Sequence, residues 1–327
     1  MFKALVLNQE DGKTISAVQD LQLSDLPEGE VLIKVDYSSL NYKDGLAITG
    51  KGKIIRDFPM VPGIDYVGKV EESSDQRYQA GDKVVLTGWG VGENHWGGYS
   101  EYAKAKADWL VPLPEKMDPV RTMQIGTAGL TAMLCVMALQ EGGVTPESGP
   151  VIVSGAAGGV GSVAVSILAG LGYEVTAITG RPETEDYLRA LGATNIVTRE
   201  EMAAPARPLE RQRWAGAVDT VGDTILARII AETNYGGVVT ACGLAASFKL
   251  PSTVMPFILR NVRLQGVDSV SCPFERRQEA WQRLQKQLPE SALGEIAQVI
   301  SLADLPEYAD KITEGQVKGR VVVDLNA

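Results

Sequence analysis

Apolar and polar positions alternate in short runs over the first third of the chain. Phe2–Leu7, Glu30–Ser38, Gly68–Glu72, Lys83–Leu86 and Gly98–Lys104 read as strands, parted by turn signals such as Leu26-Pro27-Glu28-Gly29 and Gln79-Ala80-Gly81-Asp82. Asp118-Pro119 reads as a cap and first residue of a helix running through Met123–Leu139. Its small patch Gly126-Thr127-Ala128-Gly129 permits close packing against a neighbour. From residue 151 the pattern changes to strands that alternate with helices. Val151-Ile152-Val153-Ser154 precedes a glycine-rich turn. A helix follows with Val160, Ala164, Ile167, Leu168 and Leu171 on one face. Then come a strand at Glu174–Thr179, a helix at Glu183–Leu191, and strands at Asn195–Val197, Gly216–Val221, Gly237–Ala241 and Val262–Val267. Six such strands with helices between them predict one doubly wound parallel sheet. After Asp268 a helix carrying Trp281 and Leu284, a strand at Ile296–Ser301, a short helix and a strand at Arg320–Leu325 are expected to return to the β module.

The pattern thus predicts an α/β protein with a β-rich module at 1–123, a dinucleotide-binding domain at 124–267 and a return segment at 268–327. The chain of 327 residues is long enough for two domains of that size. Glu71–Gln79 and Ser291–Gln298 are expected to be loops or surface. No apolar run approaches the length of a membrane span. Lys and Arg number 31 against 41 Asp and Glu, a net charge of −10 with no basic block, so nucleic acid is not expected as a partner. Cys135, Cys242 and Cys272 are far apart and have no CxxC spacing, which suits buried thiols in a reducing cytoplasm. One histidine, His95, leaves little for a His/Cys metal site or a Ser-His-Asp triad.

The strongest chemical signal is Gly155-Ala156-Ala157-Gly158-Gly159-Val160-Gly161, with glycines three apart between a strand and a helix. Glycine lets the chain turn tightly and lets amides approach a pyrophosphate, which the helix N-terminus then faces. At the end of the second strand an NAD site carries an acid about 20 residues past the glycines. Here the residues are Thr179-Gly180-Arg181, and an arginine beside a small hydroxyl suits a 2′-phosphate. The alternative is a solvated Arg181. In Ser38-Ser39-Leu40-Asn41-Tyr42-Lys43-Asp44, Tyr42 is a candidate donor and Asp44 an orienting group. The same residues also read as a helix cap with a half-buried tyrosine. Lys51, Lys53 and Arg56 read either as contacts for a phosphorylated substrate or as a solvated loop. The loop Gly88–Gly98, with Trp89, His95 and Trp96, reads as the mouth of an apolar pocket, with His95 structural or at the surface.

Together these features resemble the medium-chain dehydrogenase/reductase superfamily. In its zinc-dependent members a Gly-His-Glu motif follows the proline of the Pro62-Gly63 turn, where this chain has Gly63-Ile64-Asp65. The cysteine-rich zinc lobe is missing as well. The chain therefore resembles the zinc-free, quinone-oxidoreductase-like branch, and within it the acrylyl-CoA reductases. The resemblance rests on Asn41–Asp44, Gly50–Arg56, Pro62–Tyr66, Thr87–Gly98, Gly126–Gly129, Thr179–Arg181, Ala217–Gly222 and Met255–Val270. It implies a GroES-like β-rich catalytic domain joined to a Rossmann domain, NADPH as cofactor and no metal. It also implies reduction of acryloyl-CoA to propanoyl-CoA, a CoA thioester as substrate, and a homodimer that binds neither membrane nor nucleic acid. By the same resemblance Tyr42, with Asn41 and Asp44, serves catalysis. Tyr42 would lie near the nicotinamide, Gly158, Gly159, Val160, Gly161 and Ser162 at the pyrophosphate, and Thr179, Gly180 and Arg181 at the 2′-phosphate. Arg199 would serve the adenosine end, Leu244 and Ser269 the nicotinamide, and Lys51, Lys53 and Arg56 the phosphates of CoA. Rival readings are an NADPH:quinone reductase, which needs no CoA-phosphate contacts, and a non-catalytic NADPH-binding protein, which needs no donor such as Tyr42.

Overall fold

The computed structural model describes residues 1–290 and 297–327. The chain opens with an antiparallel hairpin, β1 (Phe2–Glu10) and β2 (Lys13–Leu21), turned at Asp11-Gly12 with φ of 50° and 77°. Positive φ at both turn positions is what a two-residue hairpin needs, and Asp-Gly tolerates it. The pattern did not reveal β2. Among the described residues its ladder partner is β1 alone, most of its side chains meet solvent, and it lacks a regular apolar alternation.

Next come β3 (Val31–Leu40), α1 (Tyr42–Thr49), β4 (Asp65–Ser73), β5 (Lys83–Thr87), β6 (Tyr102–Ala105) and β7 (Leu110–Pro112). The strand expected from Gly98 begins only at Tyr102. Instead, Gly97, Gly98 and Tyr99 donate to the carbonyls of Val61, Gly63 and Pro62 in an irregular loop pair. A Cβ at Gly98 would stand 2.7 Å from the Asp65 carbonyl oxygen, so this close approach requires glycine.

Helical residues then run through α2 (Pro119–Glu141), capped by Asp118, whose Oδ1 accepts from Arg121 N at 2.9 Å. The run is broken at Gly126, with φ 50° and ψ −158°. By length and apolarity alone α2 is sufficient for a membrane span, which the sequence pattern did not suggest. Yet 83% of its apolar window is buried in the protein, as in a core helix.

The second part contains β8 (Val151–Val153), α3 (Gly159–Gly170), β9 (Val175–Thr179), α4 (Glu185–Ala190), β10 (Asn195–Thr198) and α5 (Arg199–Ala203). It continues through β11 (Trp214–Asp219), α6 (Asp223–Glu232), β12 (Thr233–Ala241), α7 (Met255–Arg260) and β13 (Arg263–Gly266). Its six strands are all parallel in the order β10-β9-β8-β11-β12-β13. Counted from β8 this is 3-2-1-4-5-6, the order of a dinucleotide-binding fold. Ile152, Ile178, Ala217 and Val239 on the strands pack with Ile225, Ile229 and Ile230 of α6.

The chain closes with α8 (Phe274–Gln287), β14 (Ala297–Ser301), α9 (Leu305–Thr313) and β15 (Arg320–Asp324). The expected strand start at Ile296 and most of the loop expected at Ser291–Gln298 lie outside the described residues. β15 pairs antiparallel with β3 and completes a seven-stranded sheet, β14-β15-β3-β4-β5-β7, with β6 also on β3. The return to the β module is therefore a strand pairing. Contacts divide the chain into two units. One comprises Met1–Thr127, Ser269–Gln285 and the residues from 297, and the other comprises Ala128–Asp268 with 286–290.

Candidate active site

In the first unit the residues after β3 are organised by buried carboxylates. Asp65, at the start of β4, is fully buried. Its Oδ1 accepts from Ser39 Oγ at 2.7 Å, and its Oδ2 accepts from Thr127 N at 2.7 Å and Asn41 Nδ2 at 3.3 Å. Asp44, in the first turn of α1, is also buried. It accepts from Asn41 N at 3.0 Å, Asn41 Nδ2 at 3.2 Å and Ile64 N at 3.0 Å. Burial, and then the nearby Asp65 charge, push its pKa up to about 7, against the pull of those N–H donors. Arg320, from the last strand, donates to Asn41 Oδ1 at 3.0 Å, Ser39 Oγ at 2.7 Å and the Gln124 carbonyl at 3.0 Å. Tyr99 donates to the Ser39 carbonyl at 3.1 Å.

Asn41 and Asp44 are thus interior members of a hydrogen-bonded network. The helix-cap reading holds: Asn41 and Asp44 form the capping box of α1. Tyr42 begins α1 and is 49% exposed, so the network fixes the backbone that carries an accessible phenol. Asp65 and Arg320 were missed as members of this network. The available signal was a charge next to an apolar run, Asp65 before Tyr66-Val67 and Arg320 before Val321-Val322-Val323, but nothing in the sequence pairs them.

The buried donor set does not suit a metal ion. The position that would hold a histidine is Ile64. The oxygens of Asp44 and Asp65 are engaged by N–H and hydroxyl donors, and the Arg320 guanidinium lies in the same network. Among the described residues no three His, Cys, Asp or Glu side chains form a ligand group.

Lys51, Lys53 and Arg56 are exposed on the loop after α1. Lys51 pairs with Asp310 at 3.3 Å and Glu314 at 3.8 Å, whereas Lys43 pairs with Glu93 at 2.8 Å. His95 is half-buried. Its Nε2 lies 2.7 Å from the Lys104 carbonyl, its ring meets Trp109 edge-on, and burial lowers its pKa.

In the second unit the glycine-rich turn stands between β8 and α3. Gly155 has φ 56°, and a side chain there would collide with Thr220 Oγ1. Ser154 Oγ donates to the buried Asp219 at 2.7 Å and accepts from Thr220 N at 2.9 Å, tying the turn to the end of β11. Gly158 is the N-cap of α3, and Gly158, Gly159 and Val160 are accessible. Gly161 and Ser162 are buried. A Cβ on Gly161 would collide with the Gly155 carbonyl and lie 2.7 Å from Ala156 Cα, so this glycine serves close packing.

At the end of β9, Thr179 Oγ1 accepts from Arg181 N at 3.1 Å and lies 2.9 Å from Thr184 Oγ1, which fixes the turn. The Arg199 guanidinium, from the start of α5, packs on Gly180. The structure therefore brings Thr179, Gly180, Arg181 and Arg199 together. Leu244, 65% exposed, lines an open cleft of about 520 Å³ with Ala241, Cys242, Gly243, Gly266, Val267 and Asp268. The cleft lies at the carboxyl ends of β12 and β13, where open parallel sheets bind ligands. Ser269 belongs to the first unit, where its carbonyl accepts from Arg277 at 3.0 Å.

An accessible glycine-rich helix start, the Arg199 guanidinium against Gly180 and the neighbouring Arg181 in sequence fit an NADP-type cofactor: amides for the pyrophosphate, cations for a 2′-phosphate. Comparison with known proteins agrees. Residues 27–115 match the family described as alcohol dehydrogenase GroES-like domain, and residues 159–286 match the one described as zinc-binding dehydrogenase. The chain is 59% identical over 325 residues to the probable acrylyl-CoA reductase AcuI of Escherichia coli (strain K12), covering 99% of this chain and 100% of that one. It is 57% identical over 330 residues to acrylyl-CoA reductase AcuI of Ruegeria pomeroyi, covering 100% of both. The solved structure of the yhdH oxidoreductase from Salmonella enterica in complex with NADP superposes with a TM-score of 0.97 at 60% identity, over 98% of this chain and 99% of that one. With its GroES-like and Rossmann units and these full-length relatives, the chain belongs to the medium-chain dehydrogenase/reductase family.

Proposed function

We propose that this protein reduces acryloyl-CoA to propanoyl-CoA with NADPH, without a metal ion. The observation that carries the reading is the match, over the whole chain, to an acrylyl-CoA reductase at 57% identity. Arg199 against Gly180, and Arg181 next to it in sequence, support the phosphorylated cofactor. Bound NADPH would supply the hydride that adds to the β-carbon of the alkene. The chain's own groups bind and orient the reactants and stabilise the charge that develops on the thioester oxygen.

Tyr42 is our candidate for that stabilisation. Its exposed phenol can donate a hydrogen bond or a proton, and an aligned donor of this kind lowers a barrier by a few kcal/mol. Asn41 and Asp44 hold the backbone of Tyr42 in place. Gly158, Gly159 and Val160 present amides to the pyrophosphate, with Gly161 and Ser162 supporting the helix start from inside. Thr179, Gly180, Arg181 and Arg199 take the 2′-phosphate. Leu244 and Ser269 are assigned to the nicotinamide. Lys53 and Arg56 are assigned to CoA phosphates together with Lys51, whose exposed pairs with Asp310 and Glu314 exchange for a phosphate at small cost.

We further propose a cytoplasmic homodimer. Strand β13 is the edge of its sheet among the described residues, and beside it Ile258 of α7, 72% exposed, adjoins exposed Val254 and Leu259. An open edge and an apolar patch invite a second copy. Sedimentation equilibrium showing only monomer would discard this.

The decisive experiment follows loss of NADPH absorbance with acryloyl-CoA, crotonoyl-CoA and a benzoquinone as parallel acceptors. Rapid turnover of acryloyl-CoA is expected. Turnover of the quinone alone would replace the thioester with a quinone, and no turnover on any acceptor would leave a cofactor-binding protein.

A further inference from the structure

The Gly/Trp-rich loop after β5 and the segment 269–272 are joined by one side chain. Arg277 of α8 is 1% exposed. Its Nη1 donates to the Thr87 carbonyl and to Thr87 Oγ1, both at 2.7 Å. Its Nη2 donates to the carbonyls of Ser269 at 3.0 Å, Val270 at 3.2 Å and Cys272 at 3.3 Å. Its guanidinium carbon stands 5.1 Å from the centre of the Trp89 ring. Trp89 itself has φ 61° between Gly88 at 80° and Gly90 at 75°. A bulky residue in the left-handed region is strained, and such strain persists only where the surroundings enforce it. Here they do. Trp89 N donates to the Val270 carbonyl at 2.9 Å, and a Cβ on Gly88 would stand 2.6 Å from that same oxygen.

We propose that Arg277 is a positioning residue for the reduction: it holds Ser269 and Trp89 in one fixed arrangement, so that cofactor and thioester meet preformed contacts. The inference rests on the reductase reading above, through the assignment of Ser269 to the nicotinamide. The planar guanidinium reaches carbonyls from two separate segments while stacking on an indole, which the three-donor ammonium of lysine cannot reproduce. Arg277 touches neither substrate nor cofactor in this scheme and acts through the segments it holds. Misplacement of a reacting group by a fraction of an ångström costs rate before it costs fold.

The test uses the full chain as Arg277→Lys, beside Ile33→Val, a mild core change in the same unit, as a stability control. NADPH affinity, kcat and KM for acryloyl-CoA, and melting temperature are measured for each. For Arg277→Lys we expect kcat to fall about 10-fold or more, from loss of orientation, with NADPH bound less tightly. Ile33→Val should keep wild-type kinetics at a comparable or lower melting temperature. Arg277→Lys kinetics equal to those of the control would overturn the proposal. If Arg277→Lys does not fold, Thr87→Val serves instead. It removes one acceptor and leaves the cation, so the melting temperature should fall by a few degrees, and kcat should fall about threefold, a loss that Ile33→Val does not share. Unchanged kcat would overturn the proposal there as well. Failure of the wild-type protein to reduce acryloyl-CoA would instead reject the reductase reading, which separates the two outcomes.

Discussion

Gly180 leaves room for Arg199: a Cβ built on Gly180 would stand 2.6 Å from Arg199 Cζ. The guanidinium rests against bare backbone, one residue before Arg181. If these two cations receive the 2′-phosphate, Arg181→Ala or Arg199→Ala should weaken NADPH binding by about 2 kcal/mol, roughly 30-fold, while NADH affinity changes little. Gly180→Ala should do the same by displacing Arg199. Fluorescence titration with both nucleotides checks this, and parallel losses for NADPH and NADH would remove the phosphate assignment.

Tyr42 is accessible, while Asn41 and Asp44 beneath it are interior. Tyr42→Phe keeps the ring and deletes only the hydroxyl. We expect turnover of acryloyl-CoA to fall about 100-fold, in line with loss of a general acid or oxyanion donor, while NADPH affinity stays within about twofold. Equal turnover would take Tyr42 out of the mechanism and leave the loop as a scaffold.

The doubly wound domain was legible because each strand and helix repeats one local pattern and Gly155, Gly158 and Gly161 punctuate it. Edges and irregular contacts were harder to read. Strand β2 has no buried residue to impose an alternation, only partly covered ones such as Leu21, and Gly97-Gly98 belongs to a loop pair whose partners come from residues 61–63. At the site, Arg181 was singled out from its place at the end of a strand, and Arg199 through the family resemblance; the structure sets the Arg199 guanidinium on Gly180. The network around Asp65 was not. Its members come from β3, α1, β4, the break in α2 and β15, and the pairing of β15 with β3 brings Arg320 to Ser39 and Asn41.

Gly126 breaks α2 where this network is most crowded. It combines φ 50° with ψ −158°, and a Cβ there would stand 2.7 Å from both Arg320 Nη2 and Asp65 Oδ2, and 2.8 Å from Ser39 Oγ. Gly81 also has positive φ, 94°, but open space around it. Gly81→Ala should therefore cost about 1 kcal/mol from backbone strain alone, and Gly126→Ala about 3 kcal/mol or more, because buried polar groups must also move apart. Urea unfolding of the two variants separates the contributions. Equal losses would mean that the network yields easily and does not hold Asn41 tightly.

Asp44 makes the stability of the first unit depend on pH. Its folded pKa of about 7 stands above the ordinary 3.8, chiefly through burial and then through Asp65. Between those values the folded state keeps a proton that the unfolded state has released, so this group's contribution to stability falls as pH rises through the window and levels off above about 7. Asp44→Asn abolishes the titration, although its amide presents donors where the carboxylate accepted from Asn41 and Ile64, and the variant should be less stable overall. Compared by urea unfolding at about pH 5 and about pH 8, the wild-type protein should lose on the order of 3 kcal/mol relative to Asp44→Asn. A stability difference that stays constant over that range would mean that Asp44 is ionised throughout, with the N–H donors of Asn41 and Ile64 outweighing its burial.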